Sequence, residues 1–70
     1  MHAAPHLTHK AQSVDLVLEH KTGQGLVELV TELRGQRLSW PQISGRLWQA
    51  TGMSVNPQQL RVWAGQWGVD

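Results

Sequence analysis

Three histidines open the chain, His2, His6 and His9, and histidine is a common metal ligand. A metal site is not expected there, because neither Cys, a nearby carboxylate nor an i, i+4 helical frame accompanies them. His20 stands alone and reads as a surface residue or one near a helix end. The acids Asp15, Glu19, Glu28 and Glu32 precede residue 33 and fall along polar helix sides rather than facing each other. No nucleophile, base and orienting group can be assembled from spacing, so no enzyme, no cofactor and no small-molecule substrate is expected. The remaining chemistry is cationic. From Leu33 to Val69 the chain carries Arg34, Arg37, Arg46 and Arg61 and no acid, so an anion-seeking surface belongs to the C-terminal half. The formal net charge of +1 is too small to mark a nucleic-acid binder by itself. Simple solubilisation of a Trp-rich domain is the other reading of those arginines.

These residues must be positioned by one small domain. Seventy residues, 40% apolar and without Cys, approach the lower limit for independent folding, so tight apolar packing or self-association has to replace disulfides. No run is long enough to span a bilayer. The opening MHAAPHLTHKAQS has neither an apolar h-region nor a cleavage pattern, and a cytoplasmic location without membrane attachment is the expectation.

Residues 1–12 are small, polar and His-rich and read as a flexible arm, with the domain proper over 13–70. SVDLVLEH suits a short helix with Ser13 as N-cap and Asp15 in its first turn. The same run fits a strand, but no second strand is evident for it to pair with. After KTGQG, the residues Leu26, Leu29, Val30 and Leu33 recur at i, i+3, i+4 and i+7, opposite Glu28, Thr31 and Glu32, the mark of an amphipathic helix. Gly35 lies near its end, where Arg34 and Arg37 complement the negative end of the dipole.

Two helix-start signals follow. LSWPQI offers Ser39 as N-cap, Gln42 as capping-box partner, and Leu38 with Ile43 as a hydrophobic staple. VNPQQL repeats it with Asn56 as cap, Pro57 at the first helical position, Gln59 in the box, and Val55 stapled to Leu60. Trp40, Ile43, Leu47 and Ala50 form the apolar stripe of the first of these helices, which Thr51 and Gly52 end. Ser44 and Gly45 within it suggest close approach by another helix. Leu60, Trp63 and Trp67 line one side of the second. The expected fold class is therefore all-α, a small three- to four-helix domain containing a helix-turn-helix. Its anchors pin the second helix across the first, so that its N-terminal residues project into a major groove. WQAT intervenes before Gly52 and lengthens the compact motif by about one helical turn.

The pattern SW..I...L....G..V....L..W, carried by Ser39, Trp40, Ile43, Leu47, Gly52, Val55, Leu60 and Trp63, resembles that of small helix-turn-helix proteins of actinobacteria and their phages. The likeness extends over roughly residues 13–64 and includes the short leading helix and the amphipathic helix ending in an Arg and Gly stretch. It implies sequence-specific binding of double-stranded DNA, in a transcriptional regulator or recombination accessory factor. On that reading Ser54, Asn56, Gln58, Gln59 and Arg61 face DNA, with Arg46 and Arg37 on the backbone. Gln pairs bidentately with adenine and Arg with guanine. Asn56 and Gln59 have a rival role as helix caps, which leaves Gln58 and Arg61 as the leading base-contact candidates.

Trp40, Trp48 and Trp63 are expected in the core, and Trp67 near the surface, where it is available to a dimer contact. A homodimer would offset the limited affinity of one short recognition helix. The competing functional class is a protein-interaction module that binds a host or partner protein through a Trp-rich surface.

Overall fold

The computed structural model describes residues 7–69, and these form an all-α domain of four helices. Helix α1 spans His9–Thr22, α2 Leu26–Gly35, α3 Trp40–Thr51 and α4 Pro57–Trp67. Among the described residues no helix is long and apolar enough to cross a membrane.

Helix α1 begins earlier than its sequence pattern implies. Thr8, not Ser13, is the N-cap; its hydroxyl accepts the Ala11 N–H at 3.2 Å. Part of the segment read as an arm is therefore helical, and Ala11 is fully buried. Residues 1–6 lie outside the described residues. The first turn, His9 to Gln12, shows only one apolar side chain, so periodicity alone gives no sign of it. From there Ala11, Val14 and Leu18 form the buried stripe. Gly23 ends the helix at φ +76°, donating its N–H to the Glu19 carbonyl at 2.9 Å.

Helix α2 starts without a cap of its own, because Gly25 at the N-cap has no side chain to offer. The cap comes from α1 instead. Asp15 Oδ1 accepts the Leu26 N–H at 2.7 Å, placing a carboxylate at the positive end of the α2 dipole. A Cβ at position 25 would stand 3.2 Å from that same oxygen, which explains the glycine. Asp15 thus lies in the middle of α1 rather than in its first turn.

The C-terminal end of α2 is closed by two bonds, Leu38 N–H to the Leu33 carbonyl at 3.3 Å and Arg37 N–H to the Arg34 carbonyl at 2.9 Å. This is a Schellman closure, whose left-handed position normally holds glycine. Here Gly35 is still helical, and Arg37 takes the left-handed conformation at φ +64°. A non-glycine residue there costs roughly 1–2 kcal/mol, partly offset by the chain entropy a glycine would lose. Arg37→Gly is therefore expected to stabilise the domain by about 0.5–1 kcal/mol, raising Tm by roughly 2–8 °C for a domain of this size. A thermal melt followed by circular dichroism checks it; an unchanged or lowered Tm would mean that the arginine side chain contributes stabilising contacts.

The capping box of α3 forms as read, with Gln42 N–H donating to Ser39 Oγ at 3.3 Å and Ser39 N–H to Gln42 Oε1 at 2.8 Å. Ile43, Leu47 and Thr51 face the core. Thr51 is buried but satisfied, donating its hydroxyl to the Leu47 carbonyl at 2.7 Å and accepting the Met53 N–H at 3.0 Å. Gly52 ends α3 at φ +74°. Of the two small residues in α3, Ser44 makes a tertiary contact, donating its hydroxyl to the Val55 carbonyl. Gly45 does not; a Cβ there would meet open space, so it marks no close helix approach.

Val14, Leu18, Leu26, Val30, Ile43, Leu47, Val55, Leu60 and Trp63 are the largest fully buried side chains, drawn from all four helices and the α3–α4 connection. Leu38, Trp40 and Trp67 pack against that core from its edge. Trp48 departs from expectation. It is 59% exposed, because it sits about 80° around the helix from Trp40, off the Ile43–Leu47 stripe.

Candidate nucleic-acid interface

Helix α4 is the element that displays most of the candidate site residues. Asn56 caps it, its side-chain oxygen accepting the Gln58 N–H at 2.8 Å, and Pro57 occupies the first helical position. The expected box with Gln59 is not made. The cap bonds one residue earlier, and Gln59 has no hydrogen-bond partner among the described residues. Asn56 is therefore committed to the helix end, while Gln59 retains its amide for other partners.

Leu60, Trp63 and Ala64 bury one side of α4. With residues about 100° apart, the outward side consists of Gln58, Arg61, Val62, Gly65 and Gln66, all exposed. None of the side chains of Gln58, Arg61 and Gln66 has a hydrogen-bond partner among the described residues. No carboxylate occurs on this helix. The outward face is thus amide and guanidinium, with one branched apolar residue at its middle.

The two flanks of α4 differ. On one side a cavity is lined by Thr8, His9, Lys10, Asn56, Gln59 and Trp63, so the start of α1 and the start of α4 face each other across it. Lys10 and His9, residues of the segment read as an arm, stand there as further cationic or titratable groups. On the other side a second cavity is lined by Arg34, Trp40, Arg61, Gly65 and Val69. The Arg34 guanidinium lies 4.5 Å from the Trp40 ring centroid and donates to the Leu38 carbonyl at 2.7 Å, so Arg34 has a structural role that the sequence pattern did not reveal. Between the flanks, Asn56, Gln58, Gln59 and Val62 share a shallow depression.

Of the residues proposed from sequence, the structure groups Asn56, Gln58, Gln59 and Arg61 on or beside one helix. Ser54 is exposed in the connection that leads into it. Arg37 is exposed at the C-terminal end of α2, three residues beyond Arg34. Arg46 is exposed on α3 but lies about 200° around that helix from Ser44, the residue bonded to Val55. It belongs to the flank of α3 turned away from the α4 connection. The residue sequence reasoning passed over is Val62, 51% exposed; its position four after Gln58 was the available signal.

Among the described residues no three His, Cys, Asp or Glu side chains stand close enough to hold a metal ion; His2 and His6 lie outside that set. Comparison with known proteins finds no matching family model, no matching curated protein and no matching solved structure.

Proposed function

We propose that the chain is a cytoplasmic, sequence-specific binder of double-stranded DNA, in which α3, its connection and α4 act as a helix-turn-helix and α4 enters the major groove. A transcriptional regulator or a recombination accessory factor has this requirement. The observation that supports it most is the outward face of α4, acid-free, with Gln58 and Arg61 unpartnered among the described residues. Those two side chain types match the major-groove edges of adenine and guanine. Buried Leu60 and Trp63 fix the helix beneath them, and the Ser44–Val55 bond ties its leading residues to α3. On this reading exposed Lys10, Arg37 and Ser54 serve as backbone contacts, with Arg46 reaching phosphate only from the far flank of α3.

The rival reading, a partner-binding Trp-rich surface, has less support. Trp63 is buried, Trp40 and Trp67 are half-buried, and Trp48 alone is exposed.

Arg61→Ala is expected to lower affinity for a preferred duplex by about 5- to 150-fold, equivalent to roughly 1–3 kcal/mol, and to relax preference at one base position, while the far-ultraviolet circular dichroism stays that of the parent. Fluorescence anisotropy with matched and mismatched duplexes measures this. An unfolded variant would make Arg61 a structural residue and remove it from the interface. If two chains pair, the recovered site will be palindromic with half-sites about 34 Å apart.

A further inference from the structure

The exposed valine in the middle of the α4 face lies outside the core cluster. Val62 is 51% exposed and does not belong to the core or to the apolar residues packed around it. A β-branched residue in an exposed helix interior is disfavoured relative to alanine or a long polar residue. It is nevertheless flanked by the groups best suited to base edges: Gln58 one turn before it and Arg61 beside it, with Gln58 and Val62 lining the same depression. The major groove presents one apolar group, the 5-methyl of thymine.

We infer that Val62 is a specificity-determining residue that packs its methyl groups against a thymine 5-methyl while the Gln58 amide pairs with an adenine. This rests on the DNA-binding reading and adds to it the base composition of the site. In the pairing, Gln58 Oε1 accepts from adenine N6 and Gln58 Nε2 donates to adenine N7. Residues four apart on a helix are separated by about 6 Å along its axis, close to two base-pair steps of about 3.4 Å. The adenine and the contacted thymine therefore lie within about two steps of each other, and the core of the site is A·T-containing.

The test begins with the duplex recovered by selection from a randomised library and replaces its thymines one at a time with deoxyuridine, which removes the methyl and keeps every hydrogen-bonding edge. For the parent chain, one replacement within two steps of the adenine is expected to weaken binding on the order of fivefold, the effect of burying one methyl. Val62→Ser, which replaces both methyl groups with a hydroxyl and whose fold is verified by circular dichroism, is expected to bind the thymine and deoxyuridine duplexes equally. Parent binding that is indifferent to every replacement overturns the inference, as does a Val62→Ser chain that keeps the discrimination, or a recovered site lacking thymine near adenine. In each of those outcomes duplex binding itself persists. Absence of any duplex retention, by contrast, removes the DNA-binding reading and this inference with it.

Discussion

Trp63→Ala is expected to lower Tm by roughly 12–40 °C, whereas Trp48→Ala is expected to leave Tm within a few degrees of the parent. Both are tryptophans in helices, fifteen positions apart, and composition gives no reason to treat them differently. Trp63 is 2% exposed, at the junction of α4 with the core, and its ring stands 6.2 Å from that of Trp67. Truncating a buried Trp to Ala costs about 3–5 kcal/mol. At about 0.05–0.15 kcal/mol per residue, a chain of 70 residues has roughly 4–10 kcal/mol in total. The Nε1 of Trp63 is buried and has no hydrogen-bond partner among the described residues, a penalty of about 1–3 kcal/mol that its apolar burial must already exceed. Removing it with the ring gives back part of the loss but leaves the cavity. Trp48, 59% exposed, is a surface substitution worth about 0.5 kcal/mol or less. Thermal melts separate the two, and iodide quenching adds a second readout: the accessible fraction of Trp fluorescence should fall in Trp48→Ala. A strongly destabilised Trp48→Ala would return Trp48 to the core.

Asp15→Ala carries the next largest expected effect on stability, a loss of about 1–2 kcal/mol. Its carboxylate accepts the Leu26 N–H at 2.7 Å, and Gly25 provides no alternative cap. The loss combines a helix cap with a favourable charge at a helix N-terminus, and Leu26, whose N–H is orphaned, is itself a core residue. The decrease corresponds to a fall in Tm of roughly 4–16 °C. Asp15→Asn, which keeps an acceptor oxygen and loses the charge, should recover part of it. If Asp15→Ala and the parent melt together, the α1–α2 junction is held by apolar packing alone and the cap is incidental.

The parts of the fold that were legible in the sequence are those determined within one helical turn. Ser39 with Gln42 and Asn56 with Pro57 announce the starts of α3 and α4 because capping groups bond within three residues of themselves. The period of Leu26, Val30 and Leu33 announces α2 because all three meet one core. Features made by distant or off-stripe residues were hidden. The cap of α2 comes from Asp15, eleven residues away, and the only local hint was a glycine where a capping side chain should be. The first turn of α1 is mostly polar, so Thr8 stood before no apolar run. Gly35 does close α2, but the left-handed residue that follows is Arg37, two positions on, and an arginine gives no sign of that conformation. Trp48, expected in the core as a large apolar side chain on an amphipathic helix, is exposed because its angle to the Ile43–Leu47 stripe puts it off the buried side.

The candidate site follows the same division. Gln58 and Arg61 are recognisable from sequence because both lie on a helix whose buried side is unambiguous. Lys10 joins that neighbourhood only through the cavity that the start of α1 shares with α4, and Arg46 leaves it through its angle on α3.

The measurement that bears most directly on the proposed DNA binding is retention of a randomised duplex library by the full chain, at low and near-physiological salt, with sequencing of the retained fraction. The expected result is an enriched motif whose affinity falls steeply as salt rises, because each cation that meets a phosphate releases a counterion. No retention at low salt, or retention without an enriched motif, would contradict sequence-specific binding by α4.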